Sequence, residues 1–207
     1  MFSVLYRQVV EWIPEGARVL DLGTGDGKLL ERLVREKGVE GEGVEKDPEM
    51  LARCIERGLV VHQGDILEGL DQYGDGAFDY ILLLGTFQEL EGLWEVIRES
   101  FRVGRRVVIS YHNFANWKIR SDFLWSGRTP VARFTTQKWY ASPNRHLFSI
   151  DDFQDLCDEF GITEVKSAYF NVRGKLSFMP NLRAEQALSL LSADDMKVEK
   201  EAATEEP

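Results

Sequence analysis

The stretch VLDLGTGDGKLLERL, residues 19–33, decides the fold class because an apolar run, a glycine-rich turn and a charged amphipathic run follow one another there. The apolar run predicts a buried strand, and the amphipathic run predicts a helix. Gly23, Gly25 and Gly27 occupy the turn between them. Glycines at such a turn let a ligand approach the backbone, where free amide groups face it. The stretch therefore predicts a nucleotide-type site at the carboxyl end of the first strand.

The spacing of these glycines narrows the choice of ligand. A dinucleotide-binding fingerprint, GxGxxG, would need a glycine at position 28, where the chain has Lys28. The pattern is GxGxG instead, and the phosphate-binding pattern GxxxxGK[ST] does not occur in the sequence. NAD and FAD are therefore disfavoured as ligands.

The segment from residue 17 to residue 111 alternates short apolar runs with longer amphipathic segments. The apolar runs predict strands at ARVLDL, GEGVEKD, LVVHQGD, FDYILLL and RRVVISY. The amphipathic segments predict helices near residues 26–37, 48–58 and 91–102. This alternation is typical of an α/β fold in which helices cover a parallel sheet.

Two acidic residues end the second and third predicted strands. Glu45 ends the second, where a carboxylate can accept hydrogen bonds from both hydroxyl groups of a ribose. Asp65 ends the third, where its carboxylate could accept from the exocyclic amine of adenine. The alternative is that both are solvated loop acids and that the glycines only form a tight turn. Their occurrence at successive strand ends favours an adenosine-sized ligand.

The motif series VLDLGTGDG, GVEKD, QGDI and FDYILLL resembles that of the class I S-adenosylmethionine-dependent methyltransferases over about residues 17–111. The resemblance implies S-adenosylmethionine, or its product S-adenosylhomocysteine, as the cofactor. It places Asp21, Gly23 and Gly25 at the methionine end of the cofactor, Glu45 at the ribose, and Asp65 with Ile66 at the adenine. The complete set of candidate cofactor-binding residues is Asp21, Gly23, Thr24, Gly25, Gly27, Glu45, Lys46, Asp65 and Ile66.

A closer resemblance extends over nearly the whole of residues 1–192. The blocks NFANW, GRTPV and WYASPNRHL, which ordinary methyltransferases do not share, are similar to those of the MetW family of methionine-biosynthesis proteins. This resemblance implies a doubly wound, mostly parallel, seven-stranded Rossmann-like sheet with an inserted lid after strand 5. It favours a strand at AEQALSLLS, although that segment has equally good helical propensity. It also implies a partner, homoserine O-acyltransferase of the MetX type, but no particular methyl acceptor.

Composition limits the domain organisation and the class of partner. A chain of 207 residues with 43% hydrophobic residues is expected to form one domain, over residues 1–192, followed by an acidic disordered tail over residues 193–207. The net charge of −10 argues against nucleic-acid binding as the main role. The chain shows no targeting signal or membrane-spanning run, so we expect a cytoplasmic protein without membrane contact. Cys54 and Cys157 lack metal-ligand spacing, so no metal site is expected.

Residues 112–149 interrupt the alternation and predict an insertion or lid. Residues 111–148 carry six basic side chains against one acidic side chain, with aromatic residues between them. Aromatic residues and arginine are enriched in protein interfaces, which favours a partner-binding face. Alternatively, the aromatic residues pack the lid onto the sheet, and the same mixture also suits stacking on nucleic-acid bases. The candidates for substrate or partner contact are Gln88, His112, Asn113, Trp117, Arg120, Trp139, Tyr140 and Arg145.

No catalytic residue can be assigned from the sequence. Methyl transfer depends mainly on aligning a nucleophile with the sulfonium, so a missing general base argues little against it. Thr86 and Tyr111 join Gln88, His112 and Asn113 as polar groups expected over the site, with His112 interpreted as a hydrogen-bonded loop residue in preference to a proton acceptor. Two function classes stay open. One is a regulatory subunit of the acyltransferase, and the other is a methyltransferase acting on a small molecule.

Overall fold

The computed structural model describes residues 2–129 and 145–193. Its helices are Phe2–Trp12 (α1), Lys28–Lys37 (α2), Pro48–Glu56 (α3), Ile66–Asp71 (α4), Leu93–Val103 (α5), Trp117–Ser126 (α6), Ile150–Phe160 (α7) and Pro180–Arg183 (α8). Its strands are Arg18–Leu22 (β1), Glu40–Glu45 (β2), Val60–Gln63 (β3), Phe78–Leu84 (β4), Gly104–His112 (β5), Thr163–Asn171 (β6), Gly174–Leu176 (β7) and Gln186–Ser192 (β8). A 3₁₀ turn, Phe87–Glu89, follows β4.

The strands form one sheet in the order β3-β2-β1-β4-β5-β8-β6-β7. Strands β1 to β5 are parallel to one another. Strand β8 lies between β5 and β6 and runs antiparallel to both. The sheet grows from β1 towards β3 on one side and from β4 towards β5 on the other. The predicted doubly wound, mostly parallel α/β fold is therefore confirmed.

The sheet contains eight strands in the described part of the chain, one more than the seven that were predicted. The additional strand is β7, which has only three residues. It forms a hairpin with β6, in which Asn171 pairs with Gly174. A strand of three residues is too short to show the alternation of apolar and polar residues by which strands are predicted. The predicted count of seven strands is therefore wrong by this one short strand.

The strand predicted near the C-terminus of the chain is confirmed as β8, in a segment whose composition also suited a helix. All seven residues of β8 are buried. Hydrogen bonding to β5 on one side and β6 on the other fixes it as a central strand. Packing on both faces of a central strand outweighs local propensity.

The two faces of the sheet are covered by different helices. Successive side chains of a strand point to opposite faces. Val19 therefore packs in the same core as Leu33 of α2, whereas Leu20 packs in the other core with Val96 of α5. Because helices cover both faces, the ends of the parallel strands are the place where this architecture accepts a ligand.

The predicted insertion begins where β5 ends. Helix α6 follows β5 after a short turn, and α7 begins with a capping box formed by Ser149 and Asp152. Residues 130–144 of the insertion and residues 194–207 of the predicted tail lie outside the described residues. The lid and the disordered tail remain predictions. Within residues 2–129 and 145–193, no helix is long and apolar enough to cross a membrane.

Candidate functional site

A cleft of about 460 Å³ lies at the carboxyl ends of β1 to β4. The residues that line it are Gly23, Val44, Glu45, Lys46, Gly64, Asp65, Ile66, Leu67, Thr86, Glu89, Leu90, Glu91, Val96 and Arg145. Its volume is within the usual range for small-molecule sites. Five candidate cofactor-binding residues, Gly23, Glu45, Lys46, Asp65 and Ile66, thus lie around a single space.

The turn after β1 brings backbone to the wall of this cleft. Gly23 has a φ of 75°, a left-handed conformation that favours glycine. Its N–H donates to the carbonyl of Val44 at 2.8 Å, which ties the turn to β2. A Cβ atom at Gly23 would lie 2.6 Å from Cγ2 of Thr86, so only glycine fits between the two strand ends.

Glu45, at the end of β2, is a buried carboxylate held by backbone donors. Only 8% of the residue is exposed to solvent. Oε2 accepts from the N–H of Gly25 at 2.8 Å, and Oε1 accepts from the N–H of Asp47 at 2.9 Å. A carboxylate has about four acceptor positions, so each oxygen keeps capacity for a further donor. The geometry therefore suits a carboxylate that accepts from a pair of hydroxyl groups.

Asp21 and Thr24 lie behind this wall and do not line the cleft. Thr24 Oγ1 donates to Asp21 Oδ2 at 2.8 Å. Burial raises the pKa of Asp21 to about 6, the Thr24 hydrogen bond opposes that shift, and the charge of Glu45 adds to it. Gly25 enters the site through its hydrogen bond to Glu45, and Gly27 lies at the start of α2 without lining the cleft.

The end of β3 supplies one polar and two apolar groups. Asp65 is exposed and caps α4, because its Oδ1 accepts from the N–H of Leu67 at 3.3 Å. Ile66 is 8% exposed and lines the cleft together with Leu67. One carboxylate beside two aliphatic side chains can bind a flat heterocycle that carries an amine.

Thr86, which follows β4, supplies the opposite wall. Its Oγ1 is buried and finds no hydrogen-bond partner among the residues that the structure describes. A buried hydroxyl without a partner costs free energy, whereas a ligand that bonds to it removes that cost. This orphaned hydroxyl beside Gly23 therefore fits a polar ligand in the cleft, as the predicted cofactor would be.

Gln88 lies next to the cleft and connects three parts of the chain. It is 3% exposed. Its Nε2 donates to the carbonyls of His112 and His146 at 3.1 and 3.2 Å, and its Oε1 accepts from the N–H of His112 at 2.7 Å. Its own carbonyl accepts from the N–H groups of Arg145 and His146. Gln88 therefore joins the loop after β4 to the end of β5 and to the returning end of the insertion.

His112 and Asn113 do not line the cleft. Burial lowers the pKa of His112 to about 4, so the ring is neutral near pH 7. Asn113 is fully buried, and its Nδ2 donates to the carbonyls of Asn181 and Ala184. The NFANW block thus joins the end of β5 to α8. His112 ends β5, so its expected position in a loop is corrected.

The insertion candidates separate into three groups. Trp117 and Arg120 lie on α6 and do not line the cleft, while Trp139 and Tyr140 lie outside the described residues. Arg145 lines the cleft, and its Nη2 forms an ion pair with Glu91 Oε1 at 2.6 Å. The lining residues that sequence reasoning missed are Val44, Gly64, Leu67, Glu89, Leu90, Glu91 and Val96. The position of Val44, Gly64 and Leu67 beside predicted site residues was the available signal for those three.

Comparison with known proteins identifies the family. The family model described as "Methionine biosynthesis protein MetW" matches residues 4–191. A bifunctional methionine biosynthesis protein, MetXA/MetW, of Rhodopirellula baltica is 33% identical over 195 residues, which are 88% of this chain and 31% of that protein. The chain therefore spans about a third of the length of this relative.

Solved structures show the same fold at low identity. A structure described as an S-adenosylmethionine-dependent methyltransferase, possibly a histamine N-methyltransferase, of Thermotoga maritima aligns with a TM-score of 0.66 at 18% identity, over 92% of this chain and 88% of that one. The magnesium protoporphyrin IX methyltransferase of Synechocystis, solved with bound S-adenosylhomocysteine, aligns with a TM-score of 0.66 at 13% identity, over 91% and 81%. Both support the class I methyltransferase fold. The family match across residues 4–191 and the 33% identity to the MetXA/MetW protein show that this chain belongs to the MetW family of methionine-biosynthesis proteins.

Proposed function

We propose that this chain binds S-adenosylmethionine, or S-adenosylhomocysteine, and acts as a partner and regulator of a homoserine O-acyltransferase of the MetX type. The observation that carries the proposal is the link from the cleft to the insertion through Gln88, because it gives a bound ligand a physical route to a partner-binding segment. The fused MetXA/MetW relative supports the choice of partner.

The residues at the strand ends would hold each part of the cofactor. Glu45 would accept from the ribose hydroxyls, and Asp65 with Ile66 would contact the adenine. Gly23, Thr24 and Gly27 would shape the backbone at the methionine end, with Asp21 behind it and Lys46 at the rim. When bound, S-adenosylmethionine carries an electrophilic methyl group on a sulfonium. The chain's own role is to bind that group, orient it and exclude water.

The route from the cleft to the insertion has three steps. Thr86, Glu89 and Glu91 line the cleft and belong to one loop after β4. That loop is bonded through Gln88 to Arg145 and to the segment that follows it. A ligand that fixes the loop would therefore favour one arrangement of the returning insertion. Such a ligand changes partner affinity only if the partner binds the two arrangements differently.

In this proposal each part of the predicted domain organisation has its own role. A single domain over residues 1–192 would contain the cleft, the insertion over residues 112–149 would contact the partner, and the acidic tail over residues 193–207 would stay solvated. Six basic side chains in residues 111–148 of a chain with net charge −10 favour a partner surface that is acidic.

A methyltransferase that acts on a small molecule is the second candidate function. Its support is the cleft itself, because a buried hydroxyl at Thr86 lies beside the turn that would hold the methionine end. No residue of this cleft has an assigned acid–base role, and methyl transfer can proceed by alignment alone.

Two measurements separate these functions. The first is co-purification of the chain with the homoserine O-acyltransferase of the same organism, followed by acyltransferase assays with and without S-adenosylmethionine. We expect a complex and a ligand-dependent change of acyltransferase activity. The second uses S-adenosylmethionine with a labelled methyl group and the metabolites of the homoserine pathway. Absence of a complex and of any activity change would refute the regulatory function, and transfer of label would establish the methyltransferase.

A further inference from the structure

Helix α6 exposes large apolar side chains over a wide part of its surface. None of its ten residues is buried. Leu124 and Trp125 are 76% and 85% exposed, and Trp117 and Phe123 are more than half exposed. Single exposed apolar residues are ordinary, but four on one short helix form a patch of the kind that marks a binding surface.

The exposure of α6 does not come from a loosely attached helix. Asn116 caps its first turn, because Oδ1 accepts from the N–H of Lys118 at 3.0 Å, and the Asn116 Nδ2 donates to the carbonyl of Ala184 at 2.9 Å. Lys118 Nζ also forms an ion pair at 2.7 Å with Glu185, which is buried. A glycine in the left-handed conformation, Gly127, closes the other end. The helix is thus fixed to the sheet while its aromatic residues face away.

The arrangement of these side chains indicates the shape of what binds them. Trp117 and Leu124 are seven positions apart and share one side of the helix, whereas Phe123 and Trp125 point to two other sides. A flat surface could cover only one of these sides. An apolar surface that extends this far around a helix is covered by a groove, which contacts several sides of the helix at once.

The charges around α6 indicate which class of molecule binds this helix. Arg120 and Arg128 lie on or beside α6 with only Asp122 between them, whereas Lys118 is already paired with Glu185. This local positive charge occurs in a chain with a net charge of −10. In a two-fold contact with α6 at the symmetry axis, α6 would face the basic residues of its own copy. A nucleic acid would meet the repulsion of the acidic chain as a whole. An acidic rim around an apolar groove of a protein partner satisfies both observations.

We infer that α6 is the helix that docks this chain onto the acyltransferase, with Leu124 and Trp125 in an apolar groove of that enzyme and acidic residues of its rim facing Arg120 and Arg128. This inference rests on the proposed function, since it names the surface through which the partner is bound. Aromatic residues at the centre of an interface usually supply most of the binding free energy.

The test measures the affinity of the full chain for the acyltransferase, using the double variant Leu124→Ala/Trp125→Ala. Alanine keeps the helical propensity of α6, and both side chains are exposed, so folding is retained. The matched control is Ile55→Ala on α3, which removes an apolar side chain that is 61% exposed elsewhere. We expect the double variant to raise the Kd at least about tenfold and the control to leave it unchanged. Calorimetry with S-adenosylmethionine should give equal ligand affinity for all three proteins.

The outcomes distinguish this inference from the proposed function. Equal acyltransferase affinity for the double variant and the parent chain would refute the docking role of α6 and leave the partnership intact. Absence of binding by the parent chain would refute the partnership itself. If the parent chain instead forms a dimer that the double variant does not, while acyltransferase binding is unchanged, α6 serves a second copy and the inference is wrong.

Discussion

At the residue scale, Glu45 combines burial with two backbone hydrogen bonds, and this changes how its role should be tested. Replacement by alanine would release the N–H groups of Gly25 and Asp47 together, so a loss of ligand affinity could reflect a collapsed turn. Glu45→Gln keeps the size of the side chain, removes the charge and replaces one acceptor oxygen by an amide donor, so one of the two bonds from the backbone is retained. We expect it to weaken S-adenosylmethionine binding by about 1.5 to 3 kcal/mol, measured by calorimetry, because a charge-assisted ribose contact is lost.

Glu40→Gln is the control for this change because it makes the same replacement at an exposed position near the start of the same strand. Its ligand affinity should equal that of the parent chain. Unchanged affinity in Glu45→Gln, with the turn intact by circular dichroism and thermal unfolding, would remove Glu45 from the ligand site.

The raised pKa of Asp21 predicts a pH dependence of folding stability that is opposite to that of most carboxylates. Burial raises its pKa from 3.8 to about 6, so the folded state holds this proton more tightly than the unfolded state does. Its contribution to stability is therefore present below pH 4 and is lost as the pH rises through 6. The loss is about 2 to 3 kcal/mol. Urea unfolding from pH 4 to 7 should show that Asp21→Asn gains stability relative to the parent chain across this window.

Asp26→Asn serves as the contrasting variant in the same turn. Burial alone would raise the pKa of Asp26, but its hydrogen bonds with Lys28 and the charges of Lys28 and Arg57 together outweigh burial and lower it. The stabilising contribution of Asp26 is therefore present at neutral pH and lost as the pH falls. Asp26→Asn should therefore lose stability at pH 7, where Asp21→Asn gains it. Parallel pH profiles for Asp21→Asn and the parent chain would show that Asp21 does not titrate in this range.

The sequence predicted residues at strand ends better than residues that arrive from far along the chain. Gly23, Glu45 and Asp65 lie around one cleft because the carboxyl ends of parallel strands meet at one edge. The pairing of Arg145 with Glu91 depends on how the insertion returns, which local pattern does not encode. For Asn113, the pattern placed it at a strand end, but its hydrogen bonds are used within the fold.

At the scale of elements, Gln88 decides how firmly the loop after β4 is held to β5 and to the insertion. Gln88→Met keeps the approximate volume and removes three side-chain hydrogen bonds, leaving the N–H of His112 and two carbonyls without that partner. We expect the free energy of unfolding to fall by about 2 to 4 kcal/mol, measured by urea denaturation, because buried polar groups lose their bonds. Gln72→Met, at an exposed position, should change it by less than about 0.5 kcal/mol. Equal stability of Gln88→Met and the parent chain would contradict the proposed link.

Element boundaries followed from pattern where an element is long and buried. Strands β1, β4 and β5 coincide with apolar runs, because a strand with helices on both faces is apolar along most of its length, whereas β2 and β3 are more polar and more exposed. The short elements α4 and β7 carry too few residues for a period to appear. Helix α6 has apolar residues without helical periodicity, so its pattern could not reveal which side faces the sheet.

At the scale of the whole molecule, the resemblance to MetW proteins added what periodicity could not supply. Strand β8 could equally have been a helix, and its place between β5 and β6 comes from pairing with strands that lie far from it in the sequence. The family match over residues 4–191 includes all but the last residue of this strand. The identity of the partner is likewise a property of the whole molecule that the sequence pattern cannot predict. A groove on another protein is reflected in this sequence only by aromatic and basic residues that the fold does not require.

The last prediction concerns coupling between the cleft and the partner, and it tests the molecule as a unit. If S-adenosylmethionine changes the affinity for the acyltransferase by some factor, thermodynamic linkage requires the acyltransferase to change the affinity for S-adenosylmethionine by the same factor. We expect a factor of about 5 or more, the usual lower range of allosteric coupling, when each Kd is measured with and without the other ligand at saturation. Gln88→Met should bring both factors towards one, because it removes the side-chain bonds that join the loop of the cleft to His112 and His146 and leaves only the main-chain bonds of residue 88 to Arg145 and His146. Factors equal to one in the parent chain would leave two independent binding sites and no regulation through this link.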